Sequence, residues 1–221
     1  MSAYFVTATG TGIGKTYVTS GLVRALRARG EDASALKPVI SGIDQRNFAQ
    51  SDSALLLDAM GQSVTAENIA RLSPWRFVAP LSPDMASARE GKEIDFEELT
   101  RFSHESIAAH RGTLLIEGVG GVMVPLTRQH TVLDWMKALD IPVLLVTGTY
   151  LGTISHTLTA LYVLKRAGVK VAALLVNESE ESGVTLDETV VSLEAFVGEV
   201  PLVEIRRGAA DFAAISAIFR R

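Results

Sequence analysis

Six short apolar runs recur along the chain, each separated from the next by enough residues for a helix. They fall at residues 4–7, 33–37, 113–117, 142–147, 171–177 and 202–205, each bounded by turn-forming residues. Strands separated in this way cannot fold back as tight hairpins; they pair side by side in parallel and need helices on both faces to bury them. Helices are expected over 15–29, 51–60, 96–109, 132–138, 154–167, 186–197 and 209–219, with Gly30 and Gly168 at helix ends and Asp52 and Thr185 at helix starts. The interval 43–92 carries Ser73-Pro74 and Pro80-Leu81-Ser82-Pro83, and is expected to wrap the sheet edge as a helix plus loops. The expected fold is therefore α/β, a mostly parallel sheet with helices on both faces. It is read as a single domain over residues 1–221, since 48% hydrophobic against 21% charged residues suffices for one sizeable core.

The first apolar run leads into Ala8-Thr9-Gly10-Thr11-Gly12-Ile13-Gly14-Lys15-Thr16, and a helix is expected to follow. Glycines at 10, 12 and 14 let backbone N–H groups converge on an anion. Lys15 can reach terminal phosphates, and the Thr16 hydroxyl can ligate magnesium at the helix N-terminus. The strict nucleotide-loop pattern places glycine where this chain has Thr9. A dinucleotide fingerprint fits worse, because Lys15 stands where its last glycine belongs. A P-loop NTPase-like domain acting on a nucleoside triphosphate is the reading; a glycine-rich turn without a ligand is the plain alternative.

Composition removes several other classes. With no cysteine, disulfides and thiolate metal sites are excluded, and His104, His110, His130 and His156 lack ligand-like spacing. Net charge is −4 and no basic cluster exceeds Arg206-Arg207 or Arg220-Arg221, so nucleic-acid binding is not expected. No apolar run approaches membrane-helix length and no leader is readable, so no membrane role is expected and the cytoplasm is the default location.

In an open α/β sheet ligands sit at the carboxyl ends of strands, so the residues that close each run matter most. Lys37 closes the second run before Pro38, Glu117 closes the third before Gly118-Val119-Gly120-Gly121, and Asn177 closes the fifth. Magnesium-assisted phosphoryl transfer needs hard oxygen ligands beside the cradle; Glu117 can supply one and Asp52 another. Each residue also has a plainer reading: Lys37 as a solvated strand end, Glu117 or Asp52 as a helix cap, Asn177 as a turn residue.

Over nearly its whole length the chain resembles the dethiobiotin synthetase family. The resemblance rests on Thr11 and Gly14-Lys15-Thr16, Lys37-Pro38-Val39 with Ser41-Gly42, Ser51-Asp52, and Pro80-Leu81-Ser82-Pro83 with Ser87-Ala88 and Glu90-Gly91. It continues through Glu117-Gly118-Val119-Gly120-Gly121, Pro125-Leu126, Asp134-Trp135, Leu151-Gly152-Thr153-Ile154 with His156, and Ala167-Gly168. A glycine-to-lysine interval one residue longer than usual is characteristic of that family, although Ala8 stands where it commonly has glycine.

The resemblance implies an ATP- and magnesium-dependent ligase of biotin biosynthesis. It would close the cyclic urea of dethiobiotin from 7,8-diaminopelargonate and carbon dioxide, through a carbamate and a carbamic–phosphoric anhydride, releasing ADP and phosphate. It implies that Lys15 neutralises the transferred phosphate and Lys37 bridges carbamate and γ-phosphate. Thr11 and Ser41 would meet the carbamate and diamine, and Thr16, Asp52 and Glu117 would ligate magnesium. Gly12, Ile13, Gly14, Lys15, Thr16 and Tyr17 would wrap the phosphates beside Gly118, Val119 and Gly120, while Asn177, Glu178, Pro201, Leu202 and Val203 would hold adenine. It also implies a homodimer in which the segment around Ser155, where the family usually has asparagine, meets the partner's substrate tail. The rival of another class is a partitioning-type P-loop switch ATPase. Such proteins usually carry an extra lysine early in the loop, which residues 8–11 lack, and often a basic membrane-targeting final helix, whereas residues 209–219 are mostly apolar. A glutamine-dependent cobyrinate-type synthase would need an amidotransferase partner with a catalytic cysteine.

Overall fold

The computed structural model describes residues 2–44, 46, 48–180, 182–208 and 211–220. Strand β1 (Ser2–Ala8) leads through the glycine loop to helix α1 (Lys15–Ala28), then β2 (Ala33–Leu36), β3 (Val39–Ser41), α2 (Asp52–Ala59), α3 (Ala66–Leu72), β4 (Trp75–Phe77), α4 (Pro83–Arg89) and α5 (Phe96–Ala109). The second half runs β5 (Thr113–Glu117), α6 (Val132–Leu139), β6 (Val143–Thr147), α7 (Thr153–Arg166), β7 (Val171–Asn177), α8 (Leu186–Val197), β8 (Leu202–Ile205) and α9 (Phe212–Ile215). Six strands form one sheet in the order β2-β5-β1-β6-β7-β8, and every pairing is parallel.

The apolar runs are strands because both their faces are buried. Alternate residues of β1 enter different cores: Phe5 packs with Ile116, Trp135 and Leu145 on one face, Val6 with Leu22, Leu57 and Leu144 on the other. Trp135 meets the Phe5 ring edge-on at 4.9 Å, and its indole N–H donates to Ser103 Oγ at 3.2 Å. Strand β1 lies between β5 and β6, and the chain fills the β2–β5 side before crossing to β6, β7 and β8. That reversal puts the topological switch at the carboxyl end of β1, where the glycine loop stands.

The interval 43–92 is richer than a helix plus loops. It holds α2, α3, β4 and α4, and β4 pairs in parallel with β3, which precedes it, as a separate two-stranded sheet. Strands of three residues are too short to show a period, while α3 and α4 announce themselves only by the caps Thr65 and Ser82-Pro83. The second run ends at Leu36, because Pro38 has no N–H for a ladder and Lys37 leaves the sheet before it. The final helix is expected over 209–219; residues 209 and 210 lie outside the described residues, and the helix starts at Phe212, capped by the Asp211 side chain, which accepts from the Ala214 N–H at 3.0 Å. Its visible part is α9 followed by a 3-10 turn over Ser216–Arg220.

Candidate active site

The glycine loop leaves β1 without a break, since the Thr9 N–H donates to Val146 O at 3.0 Å. Among the described residues only Asp140 combines a side chain with positive φ, so Thr9 stands in ordinary backbone space and needs no glycine. The left-handed turns fall at Gly12 (φ 74°) and Gly14 (φ 97°). Gly14 caps α1 without a side chain, leaving the first-turn N–H groups of Lys15, Thr16 and Tyr17 with no intrahelical acceptor. A Cβ on Gly14 would lie 2.3 Å from Asn177 Nδ2, which donates to Ile13 O at 2.9 Å. A Cβ on Gly121 would lie 3.3 Å from both Ala8 O and Thr9 O. The second glycine turn is thus pressed against the first.

Four charged side chains meet at this edge. Lys37 Nζ lies 2.6 Å from Glu117 Oε1, 3.2 Å from Asp52 Oδ2 and 3.3 Å from Gly118 O. Thr16 Oγ1 donates to Glu117 Oε1 at 2.7 Å, and Lys15 Nζ donates to Gly120 O at 2.7 Å and Gly10 O at 3.1 Å. Lys37 is 3% exposed and Glu117 0%, so neither charge would be tolerated without the other. Burial pushes the Lys37 ammonium down, but the charges of Glu117 and Asp52 and their hydrogen bonds more than offset it, holding its pKa above the ordinary lysine range. Lys15 goes the other way: burial, reinforced by the like charge of Lys37, lowers it to about 8 against the pull of Glu117 and Asp52. Burial alone would raise Asp52, and Lys37 with Thr16 and Lys15 overrides it, keeping the carboxyl below its usual range.

Glu117 Oε2 is buried with no hydrogen-bond partner. With Asp52 and the Thr16 hydroxyl it offers the hard oxygens that a magnesium ion uses when water and phosphate complete its shell. Among the described residues no group of three or more His, Cys, Asp or Glu could hold a metal ion.

A cavity of about 260 Å³ opens above these groups, lined by Thr11, Gly12, Gly14, Lys15 and Thr16 from the loop, Lys37, Ile40, Ser41 and Asp52 from one wall, and Val119 and Gly120 from the other. Half of the site residues read from the sequence therefore line one space, with Glu117 and Gly118 against Lys37 beneath it. Ile13 is reached by Asn177 on the loop's other flank, and the half-exposed Tyr17 packs edge-on against Phe212 at 5.5 Å. Ser155 is exposed on the first turn of α7 and is not among the cavity's lining residues.

Pro201, Leu202 and Val203 do not join this edge. Leu202 pairs with Leu174 and Val203 with Leu175, and Pro201 O accepts from Leu174 N at the entry of β8. Along the strand Pro201 is about 13 Å, Leu202 about 10 Å and Val203 about 7 Å from the level of Asn177. Ile205 stands at that level, and the Arg207 N–H donates to Glu178 Oε2 at 2.8 Å. Parallel strands bring their carboxyl ends, not their starts, to one edge, so on β8 it is the end followed by Arg206-Arg207-Gly208 that faces this edge. The sequence reading missed Thr9, Tyr150 and His156, whose side chains touch one another beside the loop.

A family profile described as an AAA domain matches residues 2–206. The chain is 49% identical over 202 residues to the ATP-dependent dethiobiotin synthetase of Acidiphilium cryptum, covering 91% of each chain. It is 49% identical over 213 residues to that of Methylobacterium nodulans, covering 94% of each. Among solved structures, the cell division ATPase MinD of Pyrococcus furiosus superposes with a TM-score of 0.56 at 17% identity, covering 100% of this chain and 99% of that one. At that identity the likeness is one of fold alone.

Proposed function

The chain belongs to the dethiobiotin synthetase family, and from that premise we propose that it closes the cyclic urea of dethiobiotin from 7,8-diaminopelargonate, carbon dioxide and ATP. The observation that carries this reading is the meeting of Lys37, Asp52 and Thr16 in one cavity beside the glycine loop, with Glu117 held against Lys37 beneath it.

The chemical difficulty is electrostatic. A carbamate formed on one amine of the substrate must approach the γ-phosphate, and both are anions. Fixed cations and oriented donors in a water-poor site relieve that repulsion at no reorganisation cost during the reaction. Lys37, already ionised and held from below by Glu117, is the cation between the two anions. Lys15 turns from Gly10 O and Gly120 O to the transferred phosphate, whose charge favours its protonated form. The free N–H groups of the first turn of α1 receive the phosphate oxygens. Thr11 and Ser41, both lining the cavity, orient the carbamate and the diamine. Thr16, Asp52 and Glu117 would hold magnesium, which when bound supplies further neutralisation of the phosphates. Attack of the carbamate oxygen on the γ-phosphorus breaks the bond to ADP; the second amine then attacks the carbamate carbon and expels phosphate as the ring closes.

Asn177 fits the base end of ATP. With its Nδ2 engaged by Ile13 O, its Oδ1 remains as an acceptor, suited to the exocyclic amine of adenine. From the family we also infer a homodimer in which residues 151–155, from Leu151, 92% exposed, to Ser155 in the first turn of α7, meet the substrate tail of the partner subunit.

One incubation tests the reaction: purified protein with diaminopelargonate, bicarbonate, ATP and magnesium. Dethiobiotin should appear with one phosphate per molecule. Phosphate without ring product would instead favour the switch ATPase.

A further inference from the structure

The flank of the glycine loop facing away from Lys37 is tied to the rest of the edge by side chains to which the proposed reaction gives no part. Thr9 Oγ1 lies 3.3 Å from Thr147 Oγ1 and 3.3 Å from the Tyr150 hydroxyl. The same hydroxyl lies 2.9 Å from His156 Nδ1, in the first turn of α7. The segment carrying Tyr150 is itself fixed. The Thr149 N–H donates to Ser179 Oγ at 3.0 Å, the Ser179 N–H donates to Thr149 Oγ1 at 3.1 Å, and Thr153 Oγ1 donates to Gly148 O at 2.7 Å. The packing is close enough that a Cβ on Gly148 would sit 2.7 Å from Ser179 Oγ and 3.0 Å from the Tyr150 ring.

Resting on the family reading, we propose that Tyr150 is a positioning residue for the nucleotide loop, holding Thr9 through its hydroxyl while His156 orients that hydroxyl. The donor count is consistent. With Tyr150 donating to His156 Nδ1, its oxygen is left to accept from Thr9 Oγ1, and each of the two hydroxyls uses one proton. Thr9 is the point where the loop leaves the sheet, and it carries a side chain where the strict motif has glycine. That side chain gives the loop an anchor glycine would lack. On the opposite side Lys15 reaches Gly120 O, so the loop is held from both flanks before any phosphate arrives. Holding it there removes ordering cost from nucleotide binding and leaves the chemical step untouched.

The prediction is a split between binding and turnover. Tyr150→Phe, which removes one oxygen, should raise the Kd and KM for ATP about three- to tenfold, the range of one net hydrogen bond, with kcat within about twofold of wild type. Thr9→Val should do the same, and Thr9→Ser should restore wild-type binding. The Thr9→Val/Tyr150→Phe double variant should be no weaker than the weaker single variant, since each single change already breaks the Thr9–Tyr150 contact. His156→Asn, which keeps an acceptor near the position of Nδ1, should bind ATP nearly as wild type does, whereas His156→Ala should resemble Tyr150→Phe. An unchanged Kd in Tyr150→Phe, single effects that multiply in the double variant, or a kcat that falls with binding would each overturn the proposal. Titration calorimetry with ATP needs no ring closure. A wild-type protein that made no dethiobiotin would therefore sink the family reaction while the binding comparison still decided the role of Tyr150.

Discussion

The two flanks of the glycine loop are built from different chemistry. On one side buried ions touch: Lys37 with Glu117 at 2.6 Å and Asp52 at 3.2 Å, with Lys15 close by. On the other side the loop's side-chain contacts, among the described residues, are the Asn177 amide with Ile13 O and the hydroxyl of Thr9 with those of Thr147 and Tyr150, all uncharged and at distances up to 3.3 Å. Charges in a poorly solvated site interact strongly but cost several kcal/mol each to desolvate, so they belong where the reaction itself moves charge. Neutral hydrogen bonds net about 1 kcal/mol each, enough to hold a shape. The charged flank should therefore govern chemistry and the neutral flank should govern binding.

The sharpest way to break that division is Lys37→Gln. The amide keeps most of the side chain's length but supplies no charge between the two anions, so kcat should fall by about a thousandfold or more while the Kd for ATP changes only a few-fold. Rapid-quench measurement of phosphate release, paired with calorimetric ATP binding, separates the two quantities. A turnover close to wild type would take Lys37 out of the charged centre and leave the two flanks indistinguishable.

Glu117 tests the same flank through its metal and its stability. Glu117→Gln removes the charge that holds Lys37 from below and weakens the oxygens open to magnesium. The magnesium concentration for half-maximal activity should rise about tenfold or more. Urea unfolding should show a loss of about 3 kcal/mol, because Lys37 stays buried with only the half-exposed Asp52 opposite it. If the magnesium titration is unmoved while stability drops, Glu117 is a structural counter-ion and the ligand assignment fails.

The two flanks also differed in how far the sequence disclosed them. The central strands were plain, because burial on both faces leaves uninterrupted apolar runs such as Leu114-Leu115-Ile116 and Leu144-Leu145-Val146. Lys37 and Glu117 were recognisable as polar ends of such runs, but their contact spans 80 positions of sequence and becomes evident only once β2 is seen to pair with β5. The neutral flank gave almost no sign. Threonine, tyrosine and histidine near strand ends are common in any sheet, and nothing in Thr9 or Tyr150 indicates that they meet. The base end lies in a different place from the expectation: Pro201 precedes β8, whose start faces away from the edge where Asn177 stands.

The smallest expected effect lies at Asn177, where shape and recognition can be separated. Its Nδ2 is committed to Ile13 O, leaving Oδ1 for the base. Asn177→Ala removes both contacts and should raise the Kd for ATP about fivefold, with a reduced preference for ATP over GTP, because the acceptor that selects an exocyclic amine is gone. Asn177→Asp keeps an acceptor but sets a carboxylate against the Ile13 carbonyl, so it should bind ATP more weakly than wild type yet retain the preference. Competition binding with the two nucleotides decides the matter. Should Asn177→Ala lose affinity without losing preference, the amide serves only to hold the loop, and base selection falls to the segment after Ile205, at the carboxyl end of β8.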